Sequence, residues 1–251
     1  MSMNAFCIAS NSLPRDISCS AVAREGIMLH SPVHSYEEFK KRVEAYHRKV
    51  EDKYTRLYLK VFNTMRDKTA YSQEDVRTLV DPYLNEWGGM WRHIPNDKKP
   101  EHSGLLDNLY DDLKRNSKLI LEVKRMNIGS LTERELDDIG NLYKSLSDVR
   151  IPRERHSRLA ATSAGKVLHM LAWESCIIWD NKFVRGAGKY YSDDKTGYVQ
   201  YLRDKQAELR CILEGRSVGE VEAQHEKFLE GEGIENGTEP ITKLLDEANY
   251  E

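Results

Sequence analysis

One stretch decides the fold class of this chain: residues Ser35–Met65, SYEEFKKRVEAYHRKVEDKYTRLYLKVFNTM. Its apolar side chains recur every three or four residues, the spacing that places them on one face of an α-helix. These side chains are Tyr36, Phe39, Val43, Tyr46, Val50, Leu57, Val61 and Met65. Ser35 followed by Glu38 has the pattern of a capping box at a helix start. The stretch therefore predicts one long amphipathic helix.

The same helical period recurs along most of the chain. Further helix starts are predicted at Ser72, at Thr132 with Glu135, and at Ser217 with Glu220. Another helical stripe consists of Leu105, Leu109, Leu113, Ile120 and Val123. The β-branched run CIIW, residues 176–179, is too short to seed a sheet. We therefore predict an all-α, multi-helix globular fold.

The segments that lack the helical period predict the domain organisation. Residues 1–34 show no sustained period and contain Pro14, Gly26 and Pro32, so we expect a loop-rich N-terminal arm. Residues 35–230 form the predicted all-α domain. Residues 231–251 begin with the polar stretch GEGIENGT, which predicts a linker that separates a short acidic C-terminal helix from the body.

Composition and charge exclude several classes of protein. The net charge of −3 excludes a uniformly basic nucleic-acid coat. No apolar run approaches the ~18–20 residues that span a bilayer, so we expect no membrane partner and a cytoplasmic location. The four cysteines are far apart, and no two of the eight histidines stand at a metal-binding helical spacing beside a carboxylate motif. Neither a metal nor a cofactor is predicted, and we assume a monomer.

Charge is unevenly distributed along the chain. Residues 150–191 contain eight basic and three acidic side chains, a local charge of +5. Residues 214–251 contain eleven acidic and three basic side chains, a local charge of −8. A basic centre beside an acidic tail suits a protein with one face for an anionic ligand. Ordinary solvated helix faces explain the same charges, so this observation leaves both interpretations open.

The basic centre contains the most informative segment, RHSRLAATSAGKVLHMLAWESCIIWDNKFVRGAGKYY, residues 155–191. Its pattern predicts a turn of small residues at Ala160–Gly165, a helix, a connection at Glu174–Trp179, and a second helix with Asp180 at its N-cap. Unpaired amides before a helix favour phosphate, because they donate hydrogen bonds and the helix dipole is positive there. The turn therefore predicts an anion site.

Two side chains of this segment carry candidate chemistry. Lys166 offers a point charge or a nucleophilic amine, and the antiparallel return of the chain brings Asp180 to the same mouth. Asp180 among aromatic rings suits the stabilisation of a cationic sugar or the activation of water. The candidate pocket rings of this segment are Trp173, Trp179, Tyr190 and Tyr191. The plainer alternatives are that Lys166 is a surface lysine, that Asp180 only caps a helix, and that Trp173 and Trp179 are core residues.

Taken together, the segment resembles the core of the helix-hairpin-helix DNA glycosylase superfamily, in a divergent all-α prokaryotic branch. The resemblance rests on SAGKVLHML and IIWDNKFVR, with WGGMWR at residues 87–92 as a weaker element. It implies that Ser163, Ala164 and Gly165 end a hairpin that grips the DNA backbone. It also implies that Lys166 is the candidate Schiff-base nucleophile and that Asp180 is the catalytic carboxylate.

The function implied by the resemblance is a DNA N-glycosylase, with or without AP-lyase activity. Such an enzyme flips one base out of the duplex and excises it, and here the base is expected to be modified or damaged, such as a bulky base of foreign DNA. The expected phosphate contacts are Arg155, Arg158, Lys182 and Arg185, and Trp87 and Trp91 are further pocket candidates. The resemblance thus implies that DNA is the partner and that the protein is associated with the nucleoid in the cytoplasm. The alternatives are a non-catalytic all-α nucleic-acid-binding module and a nucleoside or nucleotide N-glycosidase.

Overall fold

The computed structural model of the chain describes residues 32–87, 103–151, 158–180, 191–234 and 237–249. Within these ranges it contains ten α-helices and no β-strand, which confirms the all-α prediction. Most of the predicted N-terminal arm lies outside the described residues. None of the described helices combines the length and apolar composition that crossing a bilayer requires.

The helices are numbered here in chain order. They are α1 Tyr36–Lys49, α2 Asp52–Met65, α3 Gln73–Thr78, α4 Ser103–Arg115, α5 Ser117–Val123, α6 Glu133–Ser147, α7 Ala161–Leu171, α8 Lys195–Ile212, α9 Val218–Gly231 and α10 Ile241–Glu247. A π-helical segment, Leu79–Trp87, continues α3 and contains Pro82, whose ring does not fit a regular α-helix. A short 3₁₀ turn, Ile128–Ser130, precedes α6.

The predicted helix starts are confirmed by their capping contacts. Thr132 and Ser217 each form a reciprocal capping box with the glutamate three residues later, and Ser72 does so with Asp75. The Ser35 hydroxyl accepts from the backbone N–H of Glu38, whereas the Glu38 carboxylate accepts from the N–H of His34. Capping is local in sequence, and the helix starts are therefore readable from sequence alone.

The prediction of one long helix over Ser35–Met65 is wrong. Val50 and Glu51 adopt extended backbone conformations, so the stretch forms two helices, α1 and α2. The last buried residue before the break is His47 and the first after it is Thr55, and Val50 is only partly buried. The stripe over residues 105–123 is likewise divided, at Asn116, between α4 and α5. On both sides of each break the helices bury apolar side chains in the core.

The C-terminal helix occupies a different place from the one predicted. All seven residues of α10 are buried, and the helix packs against α1 and α9. The predicted short C-terminal helix is thus present, but its expected separation from the body is wrong, because α10 packs in the core. Its charged residues Lys243, Asp246 and Glu247 are buried with it. Buried charges require partners. Lys243 pairs with Asp246 and Glu247 within α10, and Glu247 also contacts His47 of α1.

Candidate functional site

Helix α7 and residues 176–180, the non-helical stretch that is called the extended segment below, frame the predicted site. The helix begins at Ala161, and the backbone N–H of Ala164 donates to the carbonyl of Ala160 at 2.9 Å. Ser163, Ala164 and Gly165 thus lie inside the helix and are buried. The predicted turn that ends at Gly165 is therefore wrong. The small residues instead let another part of the chain approach the helix closely.

That approach is closest at Gly165. A Cβ atom at this position would lie 2.5 Å from Cβ of Trp179 and 3.0 Å from its backbone nitrogen. Any side chain at Gly165 would therefore push the extended segment away from α7. The glycine is required by packing between helix and segment, and this contact sets the position of the next residue, Asp180.

The extended segment is held by hydrogen bonds to its successive carbonyl groups. The Tyr198 hydroxyl donates to the carbonyl of Ile177 at 2.8 Å, and the Tyr201 hydroxyl donates to that of Ile178 at 3.4 Å. His169 of α7 lies 2.7 Å from the carbonyl of Cys176 through Nδ1. Because these three buried carbonyls each have a donor, side-chain hydrogen bonds hold the segment in place of a sheet.

His169 is held as a neutral ring. Its Nδ1–H donates to the carbonyl of Cys176, so its Nε2 accepts from the hydroxyl of Tyr58 at 2.7 Å. Complete burial lowers the pKa of His169 to about 3, because the charged ring would lose its hydration. The neutral ring therefore joins α2, α7 and the extended segment.

This environment predicts a pH-dependent loss of stability. Below pH ~6.5 the unfolded histidine takes up a proton that the buried ring does not, so the protein should lose about 2 kcal/mol by pH ~5 through this group. Urea unfolding of the wild type and of His169→Gln at pH ~7 and ~5 isolates the contribution of His169. The other titratable groups affect both proteins equally, so they cancel in the difference between the two free energies of unfolding. We expect the stability advantage of the wild type to shrink by that amount. A constant advantage would show that His169 titrates normally.

The structure brings Lys166 and Asp180 together. Lys166 Nζ lies 3.8 Å from Asp180 Oδ2, and their side chains are 6% and 19% exposed. Lys166 comes from the middle of α7, whereas Asp180 ends the extended segment that packs on that helix. The plainer interpretation of Lys166 as a surface lysine is wrong. The predicted N-cap role of Asp180 concerns residues beyond 180, which lie outside the described part of the chain.

The charges of this pair affect a third titratable group, Asp246 of α10. Asp246 is fully buried, and neither of its carboxylate oxygens has a hydrogen-bond partner among the described residues. Burial raises the pKa of Asp246 to about 7; Lys243 opposes this effect, and the charge of Asp180 adds to it. Strongly perturbed groups of this kind are enriched at functional sites.

Asp246 and Lys243 are absent from the sequence prediction, and the local sequence does not reveal their burial. In ITKLLDEA the apolar residues Ile241, Leu244 and Leu245 share one helical face, and Lys243, Asp246 and Glu247 share the opposite face, which is the pattern of a surface helix. Only the tertiary packing of α10 shows that its charged face is buried as well.

The candidate pocket rings differ in how deeply they are buried. Trp179 is fully buried and packs edge-on against Tyr201, with ring centroids 5.5 Å apart. Trp173 packs edge-on against Phe62 at 5.4 Å. Tyr191 is partly buried, and its hydroxyl donates to Asp204 at 2.6 Å. Trp179 and Trp173 thus support the site as packing residues, in line with the plainer interpretation.

The remaining candidates lie at or beyond the limits of the described ranges. Arg158 is 61% exposed and pairs with Asp148, and its backbone forms an isolated antiparallel bridge with Arg150. Trp87 closes the π-helical segment, and its side chain is not among those described. Five candidates fall outside the described residues: Trp91, Arg155, Lys182, Arg185 and Tyr190.

Comparison of the chain with protein-family models, curated proteins and solved structures returned no match. The class of protein is therefore defined by the fold and the candidate site alone. The chain is an all-α protein that holds a lysine–aspartate ion pair between a buried helix and a clamped extended segment.

Proposed function

We propose that the protein is an N-glycosidase that removes a modified or damaged base from DNA. The observation that carries this proposal is the 3.8 Å pair of Lys166 and Asp180, in which the carboxylate is the more exposed partner. A nucleophilic amine and a carboxylate at one mouth are the two groups that cleavage at a sugar C1′ atom uses. The resemblance of residues 155–191 to DNA glycosylases assigns the same two residues.

Asp180 suits the hydrolytic route. The bond between C1′ and the base nitrogen breaks, and positive charge develops on the sugar as the base departs. The Asp180 carboxylate stabilises this charge and orients the water that adds to C1′. The proton of that water goes to the departing base, so the products are a free base and an abasic sugar.

Lys166 suits a covalent route. An unprotonated amine attacks C1′, the base leaves with the proton lost from the amine, and the open sugar is held as a Schiff base. Water then releases the sugar, or β-elimination breaks the strand. Reduction with borohydride would convert the Schiff base to a stable link between protein and DNA.

One observation favours a smaller substrate as the second candidate. Ser163, Ala164 and Gly165, which the resemblance assigns to the DNA backbone, are buried inside α7. They are therefore not available to a duplex in this conformation. A nucleoside or nucleotide N-glycosidase would use Lys166 and Asp180 without that contact.

The test of the proposal is base release from a panel of genomic DNAs with different natural modifications, scored as abasic sites. We expect release from at least one DNA by the wild type and a loss of at least ~100-fold in Asp180→Asn. Asp137→Asn is the matched control, since its carboxylate is 61% exposed and pairs with Lys195 at the surface. This control should keep wild-type activity.

Salt dependence separates the candidate functions. A DNA enzyme binds DNA more weakly as salt rises, because contacts from arginine and lysine release counterions. Hydrolysis of free nucleosides without salt-dependent DNA binding would favour the small-substrate enzyme. DNA binding without base release from any substrate would favour the non-catalytic module and reject the proposal.

A further inference from the structure

We infer that the protein has a second site, which binds a divalent cation of the zinc type through His47, His225, Glu239 and Glu247. This site lies between α1, α9 and α10, and it does not depend on the proposed glycosidase activity. The four side chains each direct one nitrogen or oxygen to a common point, and these atoms all lie within 4.8 Å of one another.

The distances suit the convergence of ligands on one ion. His47 Nε2 lies 3.0 Å from Glu247 Oε2 and 3.2 Å from Glu239 Oε2, and His225 Nε2 lies 2.9 Å from Glu239 Oε2. Ligands at ~2.0–2.2 Å from a tetrahedral zinc ion are ~3.3–3.6 Å from one another. These three distances are slightly shorter than that spacing, and the other pairs of ligand atoms lie within 4.8 Å, so the side chains shift as they close around an ion.

The donor set selects the class of cation. Imidazole nitrogen suits zinc and related transition metals, and carboxylate oxygen completes their coordination. Calcium and magnesium prefer sites made of oxygen alone. Two histidines with two glutamates therefore indicate zinc, or a metal that substitutes for it.

A second observation points to a missing ligand. Glu239 is fully buried, and its Oε1 atom has no hydrogen-bond partner among the described residues. An unpartnered buried carboxylate oxygen is costly, because it has lost its water without gaining a donor. A cation at the convergence point would take up this free coordination capacity.

The surrounding groups orient the ligands. Lys243 Nζ lies 2.8 Å from Glu247 Oε1, which leaves Oε2 to face His47. The other ring nitrogen of His47 lies 3.4 Å from the Thr55 hydroxyl. Partners that fix the second atom of a ligand, as they do here for Glu247 and His47, are typical of metal sites.

The charges and the access route agree with this assignment. The carboxylates of Glu239 and Glu247 supply two negative charges, which match the charge of one divalent cation. His225 also lines a surface groove between α1 and α9, together with Phe39, Val43 and Phe228. The groove offers an ion a path from solvent.

The test is titration of the chelator-treated full chain with Co²⁺ and with Zn²⁺. We expect one equivalent of Co²⁺ to give the visible absorption of a tetrahedral nitrogen and oxygen site, and Zn²⁺ to displace it and raise Tm. His225→Gln should weaken binding at least ~10-fold. The matched control His34→Gln, at an exposed histidine outside the cluster, should bind as the wild type does.

A second readout keeps the inference testable where His225→Gln fails to fold. In histidine NMR spectra of the wild type, Zn²⁺ should move the ring signals of His47 and His225 and leave those of His34 unchanged. Absence of tetrahedral Co²⁺ absorption, or equal affinity in His225→Gln and His34→Gln, would overturn the inference. So would shifts confined to histidines outside the cluster.

Discussion

Replacing Lys243 by methionine should lower the free energy of unfolding by about 3–5 kcal/mol, the range for breaking a buried ion pair. The ammonium group of Lys243 is buried 2.8 Å from Glu247 and 3.6 Å from Asp246. It also lies 5.0 Å from the centre of the Tyr46 ring. Methionine fills a similar volume but leaves two buried carboxylates without their cation.

A matched pair of variants, unfolded with urea in the presence of a chelator, isolates this effect. Lys144 pairs with Asp148 at the same helical spacing as Lys243 with Glu247, but the Lys144 side chain is 62% exposed. Lys144→Met should therefore cost about 1 kcal/mol or less. Adding Glu247→Gln to Lys243→Met should recover part of the loss. An equal loss of stability in Lys243→Met and Lys144→Met would refute a tightly paired, buried charge at Lys243.

The second large effect is expected at Gly165. Gly165→Ala should lower the free energy of unfolding by about 1–3 kcal/mol, because the new methyl group overlaps Trp179. The displaced extended segment should also carry Asp180 away from Lys166. We therefore expect base release to fall at least ~10-fold, as small misplacements at a reacting centre do.

Another helical glycine provides the control for this prediction. Gly219 of α9 has open space around its hypothetical Cβ, so Gly219→Ala should be neutral or stabilising by up to ~1 kcal/mol. Thermal or urea unfolding of both variants compares the same chemical change in two environments. Equal stabilities would mean that α7 and the segment are not in close contact.

The parts of the fold that were predictable are those that depend on neighbouring residues. Capping boxes such as Thr132 with Glu135 involve side chains three residues apart, so the helix starts were found. The break at Val50 depends on how α1 and α2 pack on the core, and periodicity does not reveal it. Helix α8 was not predicted, although Asp194 caps it and tyrosines line its buried side.

The candidate site was predictable in part for the same reason. Lys166 and Asp180 lie fourteen residues apart in one segment, and its helix and connection already implied that they meet. Small residues before Lys166 fit a turn as well as a tightly packed helix, and the choice depends on where Trp179 lies. His47 and Glu247 are 200 positions apart, so only the tertiary fold reveals their contact.

The most direct test of the central claim is a single-turnover measurement of the free base that is released by the wild type and by Asp180→Asn. The Tm of the variant must equal that of the wild type, so that both proteins are known to be folded. The account predicts release by the wild type, at least ~100-fold slower release by Asp180→Asn, and unchanged release by Asp137→Asn. Release at the same rate by the wild type and a folded Asp180→Asn would contradict it. So would a wild type that frees no base from any DNA or nucleoside.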